Sequence, residues 1–254
     1  PLIFSAKIIH TFCLHAMGQL DEAIRIQREL CETLTGELEL SRLGTSWIPS
    51  SITHSFLAWS LCETGDYKKA LSHAERGHSI AVRAGDVYSQ IMGLHAIGRA
   101  SLLLSENQAA TDALTMATEL ITQHGYETVR PHVTGHLAMA LSRIGKSSDA
   151  VAKAMPLTDE HTASTTGSQE MILLYNGLAE ALFETGAQDE SLAWVKRAID
   201  MAEDSQHRCL QVQTYGMRAK LLRRKGADES SVAVDLKRMA DISEEFGIEA
   251  PPLI

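Results

Sequence analysis

The chain has 254 residues, of which 44% are hydrophobic, 22% charged and 5% aromatic, a composition typical of a folded protein of one or two globular domains. The net charge is −9, and neither half of the chain is basic, so the electrostatic signature of a nucleic-acid-binding protein is absent. No apolar run approaches the length of a transmembrane helix and no signal peptide is recognisable, so we expect a cytoplasmic protein without nucleic-acid or membrane partners.

A short helix-turn-helix phrase recurs along the chain. Its six anchor residues are Gly18, Gly65, Ser105, Gly145, Gly186 and Gly226, which are separated by 47, 40, 40, 41 and 40 residues. A glycine can end a helix in the left-handed conformation at little steric cost. A small residue five positions later, such as Ala70, lets the next helix pack closely on the preceding one. The spacing therefore predicts six helical hairpins.

The predicted elements follow from these anchors. First helices are expected at about 2–17, 50–64, 88–104, 131–144, 169–185 and 208–225, and their partners at about 20–34, 67–84, 107–124, 147–157, 188–203 and 228–246. The repeats span about 1–36, 50–86, 87–126, 128–160, 168–205 and 207–247 of one domain, 1–254, with a long loop at 36–49, a flexible loop at 158–168 and a tail at 248–254. Pro49 and Pro131 are expected to start helices, and Pro156 to end or kink one. Because the chain begins without Met, inside a helical pattern, we expect it to be part of a longer protein.

The repeat resembles the tetratricopeptide repeat (TPR). The resemblance is carried by Gly65-Asp66-Tyr67 with Ala70, and by Tyr175, Leu178, Ala179 and Leu182. It implies an all-α fold, a right-handed superhelical α-solenoid of about six helix-turn-helix repeats of ~40 residues.

The whole chain also resembles the C-terminal TPR region of bacterial multidomain signalling proteins that join a class III adenylate/guanylate cyclase domain to an AAA-type ATPase. The stretches that carry this second resemblance include Gly18–Ala23, Leu57–Gly65, Arg130-Pro131 and Phe246-Gly247.

In TPR proteins the first helices line a concave groove, and the resemblance assigns the corresponding residues here to a partner-binding surface. These residues are Phe12, His15, Ser55, Trp59, Glu63, Met92, His95, Arg99, His132, Met139, Arg143, Asn176, Glu180, Phe183, Lys220 and Arg223. Aromatic and Met anchors mixed with Arg, His and Asn suit a peptide or a helix as the ligand.

No catalytic, cofactor or metal site is expected. Gly145-Lys146-Ser147 resembles the end of a phosphate-binding loop, but Ala140 occupies the position of the first glycine and a helix precedes it. His132 and His136 lie one helical turn apart without an evident third metal ligand. The four cysteines form no C-x-x-C pair and are expected to be small buried residues in a reducing compartment.

These observations favour a non-catalytic interaction and regulatory module. Its partner would be a protein or peptide, including the cyclase or ATPase domains of its own parent protein. Two alternatives stay open at this point. One is a small-ligand sensor, and the other is a dimerisation module that forms a homodimer.

Overall fold

The computed structural model describes residues 2–159 and 166–250, and every regular element in this part of the chain is helical. The described residues form twelve α-helices: α1 (Leu2–Ala16), α2 (Leu20–Thr33), α3 (Pro49–Glu63), α4 (Tyr67–Ala84), α5 (Val87–Leu103), α6 (Asn107–His124), α7 (Arg130–Arg143), α8 (Ser147–Ala154), α9 (Ser168–Glu184), α10 (Gln188–Asp204), α11 (Arg208–Lys225) and α12 (Glu229–Phe246). Short 3-10 segments occupy Gly36–Leu38, Glu127–Val129 and Met155–Thr158. The prediction of an all-α chain is confirmed. Each of these helices is too short or too polar to cross a membrane.

Most predicted helix boundaries are confirmed to within one residue. Pro49 occupies the first position of α3, where its missing N–H costs little. The predicted helix 147–157 is too long, because α8 ends at Ala154 and the chain continues through Pro156 as a 3-10 segment. Residues 160–165 of the predicted flexible loop, and residues 251–254 of the tail, lie outside the described residues.

The turn inside each hairpin uses a left-handed residue, as the anchors predict. Gly18, Gly65, Gly145, Gly186 and Gly226 have φ values of 77°, 78°, 78°, 91° and 79°. Ser105 holds the same position in the third hairpin with a φ of 62°. A residue with a Cβ is strained in this conformation, so the Ser105 turn is the least favourable of the six.

Replacing Ser105 with Gly should therefore raise the free energy of unfolding, by about 0.5–1 kcal/mol, since the exposed serine would no longer be held in a strained conformation. Gly145→Ser is the matched reverse change, because nothing lies within 4 Å of a Cβ built on Gly145 and only its φ of 78° opposes a side chain. Urea denaturation should show a gain for the first variant and a loss of about 1 kcal/mol for the second. Two changes of the same sign would contradict the assignment of strain.

The chain divides into two compact units, Pro1–Tyr126 and Glu127–Ile254. We call them unit 1, which contains α1–α6, and unit 2, which contains α7–α12. In unit 1, α3 packs against α2, α4 and α5, and in unit 2, α9 packs against α7, α8, α10 and α11. Each first helix therefore contacts both its own partner helix and the first helix of a neighbouring repeat. That the whole chain forms a single domain stays a prediction.

Two glycines bring the backbones of α7 and α9 into direct contact. A Cβ added to Gly177 would lie 2.0 Å from the carbonyl oxygen of Gly135, and one added to Gly135 would lie 2.3 Å from the carbonyl oxygen of Leu173. Because the obstructing atoms belong to the backbone, no side-chain rotation can relieve the clash. Glycine at these two positions therefore sets the separation of the first helices in unit 2.

Gly177→Ala should lower the free energy of unfolding by about 1–3 kcal/mol or more, because the two helices must separate to admit a methyl group. Gly167→Ala is the control. Its Cβ would meet only the carboxylate end of Glu170, at 2.4 Å, and that flexible group can move. Denaturation should show a loss below about 1 kcal/mol for the control. Equal losses for both variants would contradict the role of the close approach.

The cysteines divide into two groups by burial. Cys62 and Cys209 are buried as predicted, and Cys31 is half-buried. The prediction is wrong for Cys13, which is exposed on α1. The main packing partners of this helix are α2 and α3, and Cys13 lies on a face that is open to solvent.

Candidate functional site

A buried ion pair joins α3 to α5 in unit 1. The guanidinium of Arg99 donates a hydrogen bond to Glu63, and the side chains are 10% and 5% exposed. His15 on α1 places Nε2 3.7 Å from Oε1 of Glu63. One turn earlier on the same two helices, the Trp59 and His95 rings meet edge to face with their centroids 5.3 Å apart. These five residues, which we call the Glu63 cluster, were all predicted to belong to the partner-binding surface.

The charge of Glu63 is maintained by its neighbours. Burial alone would raise the pKa of this carboxyl group, because the charged form loses its hydration. The positive charge and hydrogen bond of Arg99, together with His15, act in the opposite direction, and the net result is a pKa well below the usual range of a glutamate. Glu63 is therefore ionised at neutral pH although it is almost inaccessible to water.

Glu63→Gln should destabilise the protein by roughly 3 kcal/mol at pH 7, since it leaves the buried Arg99 without a counter-charge. The pKa of Glu63 is lowered on folding, so its contribution is fully present above about pH 4.3, the ordinary pKa of glutamate, and is lost as the pH falls towards the lower folded value. The stability difference between the wild type and the variant should therefore narrow below pH 4.

The control for this prediction is Glu29→Gln, because Glu29 pairs with Arg25 on the surface and both side chains are more than half exposed. Urea denaturation should show a loss below about 0.5 kcal/mol for this variant. A gap between wild type and Glu63→Gln that stays constant from pH 7 to pH 3.5 would exclude the ion pair as its cause.

Aromatic rings continue from the Glu63 cluster towards α1. The ring of Phe56 stacks on Trp59 with the centroids 5.1 Å apart and approaches Phe12 at 5.4 Å. Phe12 and Phe56 are only half-buried. Phe12 was assigned to the surface from the sequence, whereas Phe56 was missed. The signal was its position three residues before Trp59, which places the two rings on one helical face.

Ser55 does not lie with the other residues that were assigned to the binding surface. It is fully buried, its hydroxyl donates a hydrogen bond to the carbonyl of Ser51, and its Oγ lies 3.2 Å from the place a Cβ on Gly77 would occupy. Since Gly77 belongs to α4, Ser55 lies in the contact between the two helices of one hairpin.

In unit 2 the carboxylate of Glu180 on α9 is buried, with a side chain only 3% exposed. Its Oε1 accepts hydrogen bonds from Nε of Arg143 at 3.2 Å and from Nζ of Lys220 at 3.4 Å, which come from α7 and α11. Its Oε2 is buried and has no hydrogen-bond partner among the described residues. Asn176 lies one turn earlier on the same face and is 1% exposed, and its Oδ1 is likewise buried without a partner there. These four residues form what we call the Glu180 cluster.

Phe183 lies beneath a guanidinium at the end of α9. The Arg224 side chain is 4.7 Å from the ring centroid of Phe183 and also donates hydrogen bonds to Glu184. The assigned Arg223 is half exposed and lies 3.9 Å from Glu229 on α12. Arg224 and its partner Glu184 are one repeat step of 40 residues apart.

Three further assigned residues belong to neither the Glu63 cluster nor the Glu180 cluster. Met92 and His132 are buried and Met139 is half-buried. His132 and His136 have ring centroids 6.4 Å apart, and no third His, Cys, Asp or Glu of the described residues completes a metal-binding set with them. Gly145 lies in the turn that follows α7, so a helix precedes the resemblance to a phosphate-binding loop, as expected.

Comparison with known proteins identifies the fold through structure alone. No protein-family model matches this chain, and no curated protein matches it. Among solved structures it is similar to a Rap protein complexed with competence and sporulation factor, with a TM-score of 0.64 and 12% identity over 97% of this chain and 78% of that one. It is also similar to Bacillus thuringiensis PlcR in complex with the peptide PapR7 and DNA, with a TM-score of 0.61 and 15% identity over 92% and 96% of the two chains. TPR-like repeats of a Podospora anserina kinesin light chain match with a TM-score of 0.55 and 16% identity over 80% and 95%.

The chain has a TPR-like α-solenoid fold. The fold class predicted from the repeated anchors is thereby confirmed, including the pairing of helices into successive hairpins. At these identities the structural likeness concerns the fold, and the chemistry of the site has to be argued from the clusters above.

Proposed function

We propose that this chain is a non-catalytic interaction and regulatory module that binds a peptide or an extended protein segment through the first helices of its hairpins. The observation that carries the proposal is the incomplete hydrogen bonding of the Glu180 cluster. Asn176 Oδ1 and Glu180 Oε2 are both buried acceptors without a partner among the described residues. An unpaired buried acceptor lowers the stability of the folded protein by about 1–3 kcal/mol. A hydrogen-bond donor from a bound ligand would remove this cost, and we infer that the two acceptors serve such a ligand.

A peptide has the right chemistry to supply that donor. Backbone N–H groups pair well with the oxygen of an asparagine amide, and an ammonium or guanidinium group of the ligand suits the second oxygen of Glu180. In unit 1 the half-buried rings of Phe12 and Phe56 offer apolar contact for a ligand side chain. Two structural neighbours, the Rap protein and PlcR, were solved in complex with competence and sporulation factor and with a peptide, respectively, which supports this class of ligand.

The experiment starts from a phage-displayed peptide library selected on the whole chain, followed by fluorescence anisotropy with the enriched peptides. Asn176→Leu should weaken binding by on the order of tenfold, because the ligand loses a buried hydrogen bond. Gln108→Ala is the control, since Gln108 is exposed on α6 and its amide donates only to Asp112. Its binding should equal that of the wild type.

The same variant gives a stability prediction that separates a binding role from a structural one. Asn176→Leu removes an acceptor that is unpaired in the free protein and keeps a similar volume, so the free energy of unfolding should stay within about 0.5 kcal/mol of the wild type or rise. Urea denaturation of the free protein measures this. A large loss of stability would show that Asn176 supports the fold, and failure of the library to yield any specific peptide would overturn the proposed ligand class.

A small ligand is the second candidate, favoured by the nearly complete burial of Asn176 and Glu180, which suits an enclosed molecule rather than a chain. A thermal-shift screen of metabolites tests it. A ligand that raises the melting temperature of the wild type but not of Asn176→Leu would support the sensor, and an unmoved melting temperature across the screen would exclude it.

We further propose that the module belongs to a larger bacterial signalling protein of the cyclase/ATPase type and acts in the cytoplasm. The support is the sequence resemblance of Gly18–Ala23, Leu57–Gly65, Arg130-Pro131 and Phe246-Gly247. The partner would then include its own catalytic domains, and a homodimer formed through the repeats is the alternative. The full-length gene product decides the parentage, and sedimentation decides the oligomeric state. A reading frame without cyclase or ATPase domains would overturn this part of the proposal.

A further inference from the structure

Three metal-binding side chains from three helices converge in unit 1, outside the Glu63 cluster. Cys31 on α2, His54 on α3 and His73 on α4 place one ligand atom each within 4.8 Å of the others. His54 lies nine residues before Glu63 on α3, which separates them by about 13 Å along the helix. The set was missed in the sequence because its members come from separate helices, 23 and 19 residues apart.

The two histidines already have the geometry of a shared site. Their Nδ1 atoms are 3.0 Å apart and their rings stack with centroids separated by 5.2 Å. Two nitrogen ligands of a tetrahedral zinc ion, each about 2.0–2.1 Å from the metal, lie roughly 3.3 Å apart, and a nitrogen and a sulfur ligand roughly 3.6 Å apart. The 3.0 Å between the two histidine nitrogens is close to the first of these values, and Cys31 has its sulfur within 4.8 Å of a ring nitrogen of each histidine.

Two guanidinium groups lie near the site, Arg76 beside His54 and Arg28 beside His73. The nearby charge of Arg76 is itself paired with the carboxylate of Glu39. All three ligand residues are half-buried, so the site is neither sealed from solvent nor fully hydrated.

We propose that Cys31, His54 and His73 form a binding site for a divalent transition metal ion, with zinc as the ion that fits best. Two nitrogens and one sulfur are zinc ligands and unsuitable for Ca²⁺ or Mg²⁺, which require oxygen. On binding, the Cys31 thiol loses its proton to solvent and the thiolate sulfur bonds the metal. Three protein ligands leave the fourth tetrahedral position for water or a ligand from outside.

Such a site has a structural consequence. It connects α2, the second helix of the first hairpin, to both helices of the second hairpin, so the bound ion fixes the contact between two neighbouring repeats. Metal binding to the folded state alone then stabilises unit 1 by mass action. This inference does not depend on the proposed function, because the Glu180 cluster belongs to unit 2.

The experiment is a Co²⁺ titration of the whole chain, reduced and freed of metal by chelation, followed by displacement with Zn²⁺. Co²⁺ should bind one equivalent with a thiolate-to-metal charge-transfer band and visible bands of a four-coordinate site, and one equivalent of Zn²⁺ should remove both. Zn²⁺ should also raise the melting temperature of the wild type.

Cys31→Ser should abolish the charge-transfer band, and His73→Gln should weaken Zn²⁺ binding at least tenfold and abolish the thermal shift. Cys13→Ser is the matched control, because Cys13 is the exposed thiol on α1 and is absent from the cluster. It should behave as the wild type. Circular dichroism of the metal-free variants checks that they fold. If Cys31→Ser does not fold, the Zn²⁺ affinity and thermal shift of His73→Gln still test the site.

The proposal is overturned if the wild type shows no saturable binding at one equivalent. It is also overturned if neither Cys31→Ser nor His73→Gln changes the titration, or if Cys13→Ser removes the charge-transfer band. In those cases the two histidines are a neutral pair in which one Nδ1–H donates a hydrogen bond to the other nitrogen.

Discussion

The left-handed turn between the two helices of each hairpin is the constraint on which the other features depend. A residue at positive φ lets the second helix turn back directly onto the first, and glycine adopts this conformation without steric cost at five of the six turns. Because the turns recur at an almost constant step, neighbouring first helices lie side by side in the same register within each unit. The close approach of Gly135 and Gly177 then brings two such helices into backbone contact. Residues about 36 to 40 positions apart are thereby placed opposite one another.

Opposite charges occupy these facing positions. Glu63 and Arg99 are 36 residues apart, Arg143 and Glu180 are 37 apart, and Glu180 and Lys220 are 40 apart. A buried charge is tolerated only when it is paired. Each carboxylate therefore favours the one relative orientation of the two helices in which its ion pair with the neighbouring repeat can form. The pairs thus connect the turn geometry of the backbone to the placement of the polar groups that a ligand would meet.

The extent to which the sequence predicted these features follows from the same geometry. Helix positions depend on local signals, such as Pro49 starting α3 and Gly65 following its end, so most of them were predictable to within one residue. The end of α8 is the exception, because the helix stops at Ala154, before Pro156. It was harder to predict which face of a helix each residue occupies, because consecutive residues differ by 100° of rotation about the helix axis. An error of one residue therefore assigns a side chain to the wrong face. Ser55, which was assigned to the predicted binding surface, lies against α4, whereas the ring of the next residue, Phe56, stacks on Trp59. To predict that Cys31, His54 and His73 converge, the rotational orientation of three helices must be known together. No single segment of the sequence contains that information.

The carboxylates of the Glu63 cluster and the Glu180 cluster differ in their hydrogen bonding. Glu63 has a guanidinium and an imidazole beside it, and its lowered pKa shows that the surroundings stabilise the charge. Glu180 has both of its cations on one oxygen, while the other oxygen, and that of Asn176 one turn away, have no partner among the described residues. If both clusters served only to hold repeats together, the Glu180 cluster would stabilise the fold less than apolar side chains at the same positions. Apolar side chains would avoid the free-energy cost of an unpaired buried acceptor. In the proposed function, a donor from the ligand offsets this free energy, and the same residues of unit 2 then serve both ligand binding and repeat packing.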